Sequence, residues 1–341
     1  MKKFLALATA AVLTLTACGN GAAAGNKDAS RKTIRLAYQA FPSGDLIVKN
    51  QGLLEKALPD YTITWTKFDS GASINTAFVA GSIDIAAIGS SPVARGLSAP
   101  LNIPYQVAFV LDVAGDNEAL VARNGTNISS VADLRGHKVA TPFASTAHYS
   151  LLAALSQAGV KESELTIVDL EPQDIQAAWA RGDLDAAYTW LPSLDELKKT
   201  GKVLISSRQL ATAGKPTLDL GVVSAAFANA HPDAVDAWRK AEAKALDIIA
   251  QQPDAAAEAV GKELNISPAD AKHQLSQGVF LKPSELYSQE WLGTDGKVGD
   301  LAKNLLAAAQ FLKAQNKIDA VPDASAVEKA IYTKGLPGVF S

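Results

Sequence analysis

From residue 33 to residue 224, short apolar runs of strand length alternate with stretches whose apolar residues recur at helical spacing. The runs 33–38, 83–88, 138–141, 166–169, 186–189 and 218–224 predict buried strands. Segment 61–67 alternates polar and apolar positions, the mark of a strand with one wet face. Segments 104–113 and 118–123 also read as extended. Between these runs the pattern predicts helices over 47–58, 73–80, 131–134, 148–158 and 174–181. Beyond Asn229 the spacing is helical throughout, over 232–251, 253–264, 268–278, 298–315 and 324–334. Pro232, Pro253 and Pro268 each open one of these helices, a position where the missing N–H has no intrahelical partner to lose.

Alternating strands and helices predict an α/β fold, with mostly parallel sheets flanked by helices on both faces. The chain after Lys32 is long enough for two lobes. In such sheets ligands sit beyond the carboxyl ends of the strands. The helical tail is expected to pack around one lobe. No internal repeat of fixed period is visible.

Two strand-to-helix junctions stand out at those carboxyl ends. In Ile85-Ala86-Ala87-Ile88-Gly89-Ser90-Ser91-Pro92, Ser91 reads as an N-cap and Pro92 as the first helical residue. In Val139-Ala140-Thr141-Pro142-Phe143-Ala144-Ser145-Thr146, Ser145 reads as the cap of the helix carrying Leu151, Leu152 and Leu155. A helix start presents free N–H groups and the positive end of the dipole, so it favours an anion. Two such starts facing one cleft would hold an oxyanion without an arginine. Ordinary capping is the alternative for each junction taken alone.

The N-terminus changes the picture by fixing the compartment. Met1-Lys2-Lys3, the apolar stretch 4–15 and Leu15-Thr16-Ala17-Cys18 form an export signal ending in a lipobox-like motif. Residues 1–17 are expected to be removed, Cys18 to carry the lipid anchor, and residues 18–32 to form a Gly/Ala-rich tether. Cleavage removes two lysines and no acid, taking the formal net charge from −3 to −5. The absence of a basic face argues against nucleic acid. Cys18 is the single cysteine, so no internal disulfide can form. His137, His148, His231 and His273 are dispersed, and no zinc spacing, nucleophile elbow, phosphate loop or dinucleotide fingerprint is present. No metal or cofactor is expected.

Six segments then carry a resemblance. They are Ile34-Arg35-Leu36-Ala37-Tyr38-Gln39, Lys67-Phe68-Asp69-Ser70-Gly71-Ala72-Ser73-Ile74, Gly89-Ser90-Ser91-Pro92, the run from Ser145 to Leu155, the run from Ala177 to Pro192, and Pro216-Thr217-Leu218-Asp219. In this order they resemble the substrate-binding proteins of bacterial taurine ABC transporters. The resemblance is strong over 33–231 and weak in the helical tail. Position 147 departs from it, with Ala where Thr is expected. The family implies a two-lobed type II periplasmic-binding-protein fold joined by two hinge strands. Lobe I would be 33–122 with 220–341, and lobe II 123–219. It also implies a monomer outside the cytoplasm, a taurine or related sulfonate ligand, an ABC permease with its ATPase as partners, and no catalysis. A receptor for other aliphatic sulfonates and an exported enzyme of the same fold are the alternatives.

Taurine joins a sulfonate to an ammonium through two carbons, so its site needs neutral donors at one end and a carboxylate at the other. Ser90, Ser91, Thr146, His148 and Tyr149 are the candidate donors. Asp69, Glu118 and Asp219 are the candidate carboxylates. Asp219 lies between Leu218 and Leu220, and a carboxylate among apolar neighbours is rarely left unpaired. Trp190 could cover the ligand or stack in the core, and Gln39 ends the first strand at the ligand edge.

Overall fold

The computed structural model describes residues 32–294 and 296–340. The expected signal segment, Cys18 and almost all of the expected tether lie outside the described residues. Ten strands build two sheets: β1 (Lys32–Gln39), β2 (Tyr61–Phe68), β3 (Ile85–Gly89), β4 (Tyr105–Val113), β5 (Glu118–Arg123), β6 (Lys138–Thr141), β7 (Thr166–Asp169), β8 (Ala186–Trp190), β9 (Gly201–Ser206) and β10 (Leu218–Ser224). The first sheet has the order β2-β1-β3-β10-β4 and the second β7-β6-β8-β5-β9. The two share one plan. In the first, β2, β1 and β3 run parallel and β10 runs against β3 and β4. In the second, β7, β6 and β8 run parallel and β5 runs against β8 and β9.

Burial explains the sequence pattern. Every residue of β3 is buried, as a central strand covered by helices on both faces must be. Truncating Ile88, which is wholly buried, to Ala would cost about 2–5 kcal/mol. β2 lies at an edge and keeps the alternation of a half-wet strand.

The strand pairing moves both expected lobe boundaries. β5 belongs entirely to the second sheet, so the first crossing lies at 114–117 and not at 122/123. β10 belongs entirely to the first sheet, so Asp219 is a lobe I residue and the second crossing lies at 213–217. β5 and β10 are thus inner strands of the sheets, with residues buried on both faces.

The helical tail touches both lobes rather than one. Trp238, Leu246, Val260 and Leu305 join the core of the first lobe. Further along the helix Leu301–Ala314, Ala308, Ala309 and Leu312 pack with Ala94 of lobe I and Tyr149 of lobe II. Phe311 meets Tyr149 edge to face at 4.8 Å. Two short strands, Gly293–Thr294 and Lys297–Val298, interrupt the predicted helical run.

Candidate functional site

An antiparallel strand begins where its parallel neighbours end. β5 and β10 therefore start at the carboxyl edges of their sheets, and each carries an acid there, as the first residue of β5 and the second of β10. Glu118 pairs with Trp190 at the end of β8, and Asp219 pairs with Gly89 at the end of β3. Both acids line one cavity, together with Gln39, Thr146 and Trp190.

Glu118 is buried and heavily bonded. The hydroxyls of Ser207, Ser150 and Thr217 donate to Oε1 at 2.6, 3.2 and 3.4 Å, and Thr146 donates to Oε2 at 2.5 Å. Burial raises its pKa above the usual carboxylate range, and the four hydroxyls oppose that rise. Neutral donors stabilise the anion here without a cation.

Asp219 is different. It is half-buried and opens on the cavity, and no hydroxyl cage surrounds it. Its neighbour across the ladder is Asp112, which is wholly buried. Neither oxygen of Asp112 has a hydrogen-bond donor among the described residues. Burial, then the charge of Glu118, pushes Asp219 up to about 7. Burial, then Asp219, holds Asp112 well above the carboxylate range. Two adjacent acids in a dry setting cannot both ionise cheaply, so the pair favours a state with one proton bound.

Three helix starts face the same cavity. The helix Gly71–Val79 contributes Gly71, the helix Ser90–Leu97 its cap Gly89, and the helix Thr146–Gln157 its cap Ser145 and its first residue. Ser145 caps as expected, accepting from the His148 N–H at 3.1 Å. The first junction differs from expectation: Gly89 holds the cap position and Ser90 and Ser91 are already helical. Two glycines make room. A Cβ on Gly71 would overlap the Pro92 ring, and one on Gly89 would lie 2.6 Å from Thr146 Cγ2 of the other lobe. The lobes therefore meet at the cleft. Ser70 of lobe I also donates to Glu171 of lobe II at 2.9 Å.

The structure brings Gln39, Glu118, Thr146, Trp190 and Asp219 together and leaves the other candidates elsewhere. Asp69 is half exposed and lies 4.0 Å from Lys67. Ser90 sits behind the cavity, its Oγ accepting from the Leu218 N–H at 3.0 Å. Ser91, His148 and Tyr149 line a second cavity on the other side of the helix starts. A helix turns by about 100° per residue, so His148, two places beyond Thr146, looks away from what Thr146 faces, while Tyr149 packs edge to face on Phe311. Ala147 is wholly buried in the lobe II core, so a hydroxyl there would not reach the cleft. Sequence reasoning missed Asp112 and Ser207, which lie outside every motif, Ser150 and Thr217, which lie inside two of the resembling segments with nothing local to mark them as partners of Glu118, and Asn117, which closes the first crossing by accepting from the Gly115 N–H at 2.6 Å. Among the described residues no group of His, Cys, Asp or Glu is arranged to hold a metal, and no helix is long and apolar enough to cross a membrane.

Comparison with known proteins bears on this geometry. Residues 32–262 match the substrate-binding domain of ABC-type glycine betaine transport systems. The chain is 39% identical over 266 residues to the taurine-binding periplasmic protein of Escherichia coli K12, covering 76% of this chain and 80% of that protein. The alkanesulfonate-binding protein SsuA from Xanthomonas axonopodis pv. citri, solved bound to MOPS, superposes with a TM-score of 0.75 at 22% identity, over 89% of this chain and 99% of that one. The desulfurization enzyme DSZB superposes with a TM-score of 0.64 at 16% identity, over 91% and 99%. The fold thus serves both binders and an enzyme, and the site must decide between them.

Proposed function

The chain belongs to the family of substrate-binding domains of ABC-type glycine betaine transport systems, and on that premise we propose that it captures taurine between its lobes and delivers it to a permease and its ATPase. Its architecture is that of a two-lobed periplasmic binding protein. The observation that carries the ligand choice is Asp219. A carboxylate without a cage, in a cavity that also receives three helix starts, offers one place for an ammonium and another for a sulfonate. The sulfonate accepts from backbone N–H groups at those helix starts, since Thr146 already donates to Glu118 and the Ser90 hydroxyl lies behind the cavity. Trp190 and Phe41 supply apolar wall to the two carbons between the charges.

We assign no catalysis. The Ser145 hydroxyl holds the helix cap and donates to the Pro142 carbonyl at 2.6 Å, so it is not poised as a nucleophile. Cys18 would anchor the protein outside the cytoplasm through its lipid. Titration with taurine, followed by small-angle scattering, tests this reading. Saturable binding with a smaller radius of gyration is expected. No heat of binding, or equal radii at saturation, would contradict capture by closure.

A further inference from the structure

The second cavity, about 460 Å³ including its open mouth, has its own chemistry. It lies between the helix Ser90–Leu97 of lobe I, the helix Thr146–Gln157 of lobe II and the segment following the helix Leu301–Ala314. His148 lines it and is 4% exposed. The Ala144 N–H donates to His148 Nδ1 at 3.2 Å, which leaves the proton of the neutral ring on Nε2. Phe143 stacks on the ring at 4.6 Å with an interplanar angle of 11°, fixing its plane. Nε2 has no hydrogen-bond partner among the described residues. A buried donor left unpaired is costly, so a fixed one beside a cavity points to something that accepts from it.

The surroundings say what that is. Arg95 lines the cavity and makes no ion pair among the described residues. Lys317 lines it too, sharing its charge with Glu162 at 2.7 Å. Tyr149 lies on the same wall. Glu162 is the acid opposed to these groups, and its charge is matched by Lys317. Burial, then the charges of Lys317 and Arg95, lowers the His148 midpoint to about 4, so the ring is a neutral donor at pH 7.

We propose that this cavity is a second, anionic site that takes a small oxyanion, held by Arg95, His148 Nε2–H and the Lys317 ammonium. Its walls come from both lobes, so an occupant favours the closed arrangement. By linkage, closure around the main ligand then strengthens the hold on the oxyanion.

Imidazole proton–nitrogen spectra of the full mature chain, titrated with inorganic phosphate against chloride at equal ionic strength, test this. The His148 Nε2 signal should move saturably with phosphate and not with chloride, while His137, His231 and His273 stay still. The His148 midpoint should rise above about 4, because an anion favours the imidazolium. Arg95→Gln should weaken phosphate binding by about tenfold or more, and Arg95→Lys should recover part of it. Asp219→Asn, in the other cavity, should leave the phosphate titration unchanged. An immobile His148 signal, equal shifts with chloride, or a titration that survives Arg95→Gln would overturn the proposal. The wild-type spectra alone decide the first two of these outcomes, whether or not the variants fold.

Discussion

Glu118 and Asp219 occupy equivalent places in two sheets of one plan. Each stands at the start of the antiparallel strand, first in β5 and second in β10, and each meets the last residue of the third parallel strand. Their surroundings differ. Four hydroxyls, from two chain segments of lobe II and from the second crossing, close around Glu118. Asp219 has a second acid behind it and the cavity in front. The same backbone slot thus yields a carboxylate satisfied internally and a carboxylate left open to the cavity. What distinguishes the two acids is the company each keeps, since position alone is shared.

The comparison breaks most sharply at Asp219. Asp219→Asn should lower taurine affinity by about 3–5 kcal/mol, a hundredfold or more, because it leaves the ammonium without its partner. Titration calorimetry reads this, and an unchanged affinity would make Asp219 no more than a buried acid. Thr146→Val removes one of the four Glu118 donors and should cost about 1.5–3 kcal/mol of folding stability, the range for a hydrogen bond to a charge. Denaturant melts of the ligand-free protein measure it. A loss confined to taurine affinity, with stability intact, would mean the hydroxyl serves the ligand and the cage account is wrong.

The third effect is pH dependence. Asp219 sits at about 7, with Glu118, Asp112 and Asp45 as its acidic surroundings. An ammonium needs the ionised form, so taurine affinity should rise by about tenfold between pH 6 and pH 8. The ligand-free protein should show the opposite trend in stability. Its raised acid binds a proton more tightly folded than unfolded, so stability falls as pH climbs from 3.8 toward about 7. A taurine affinity that is flat over this range would place the ammonium elsewhere. The smallest effect concerns the contact between lobes. Ser70→Ala removes the hydrogen bond to Glu171 and should speed taurine release by the equivalent of about 0.5–1.5 kcal/mol, measurable by stopped flow.

Much of the fold was legible because burial and capping act locally. The uniformly buried β3 and the Pro-initiated helices Pro232–Gln251 and Pro253–Leu264 announce themselves in a few residues. The predicted helix over 47–58 is broken because Gly52 takes a left-handed conformation, φ 58°, between the helices Gly44–Gln51 and Leu53–Ala57. β9 was not legible: it is a sheet edge with Lys202 and Val203 exposed, and its apolar run is only Val203-Leu204-Ile205. In the site, Asp219 and Glu118 could be picked out as acids beside apolar residues. Asp112 could not, because its meaning depends on a ladder register with a residue far along the chain. His148 and Tyr149 follow Thr146 closely in sequence, yet both line the other cavity; for His148 the rotation over two helical positions accounts for this.

The central claim is that Asp219 answers the amine of the ligand. Taurine and ethanesulfonate differ in that amine, so four titrations at pH 8, of each ligand with the wild type and with Asp219→Asn, isolate the pairing. The account predicts that the wild type prefers taurine by about a hundredfold or more, and that Asp219→Asn removes the preference by weakening taurine while leaving ethanesulfonate equal or tighter. Equal affinities of the wild type for both ligands, or a preference that survives the substitution, would contradict it.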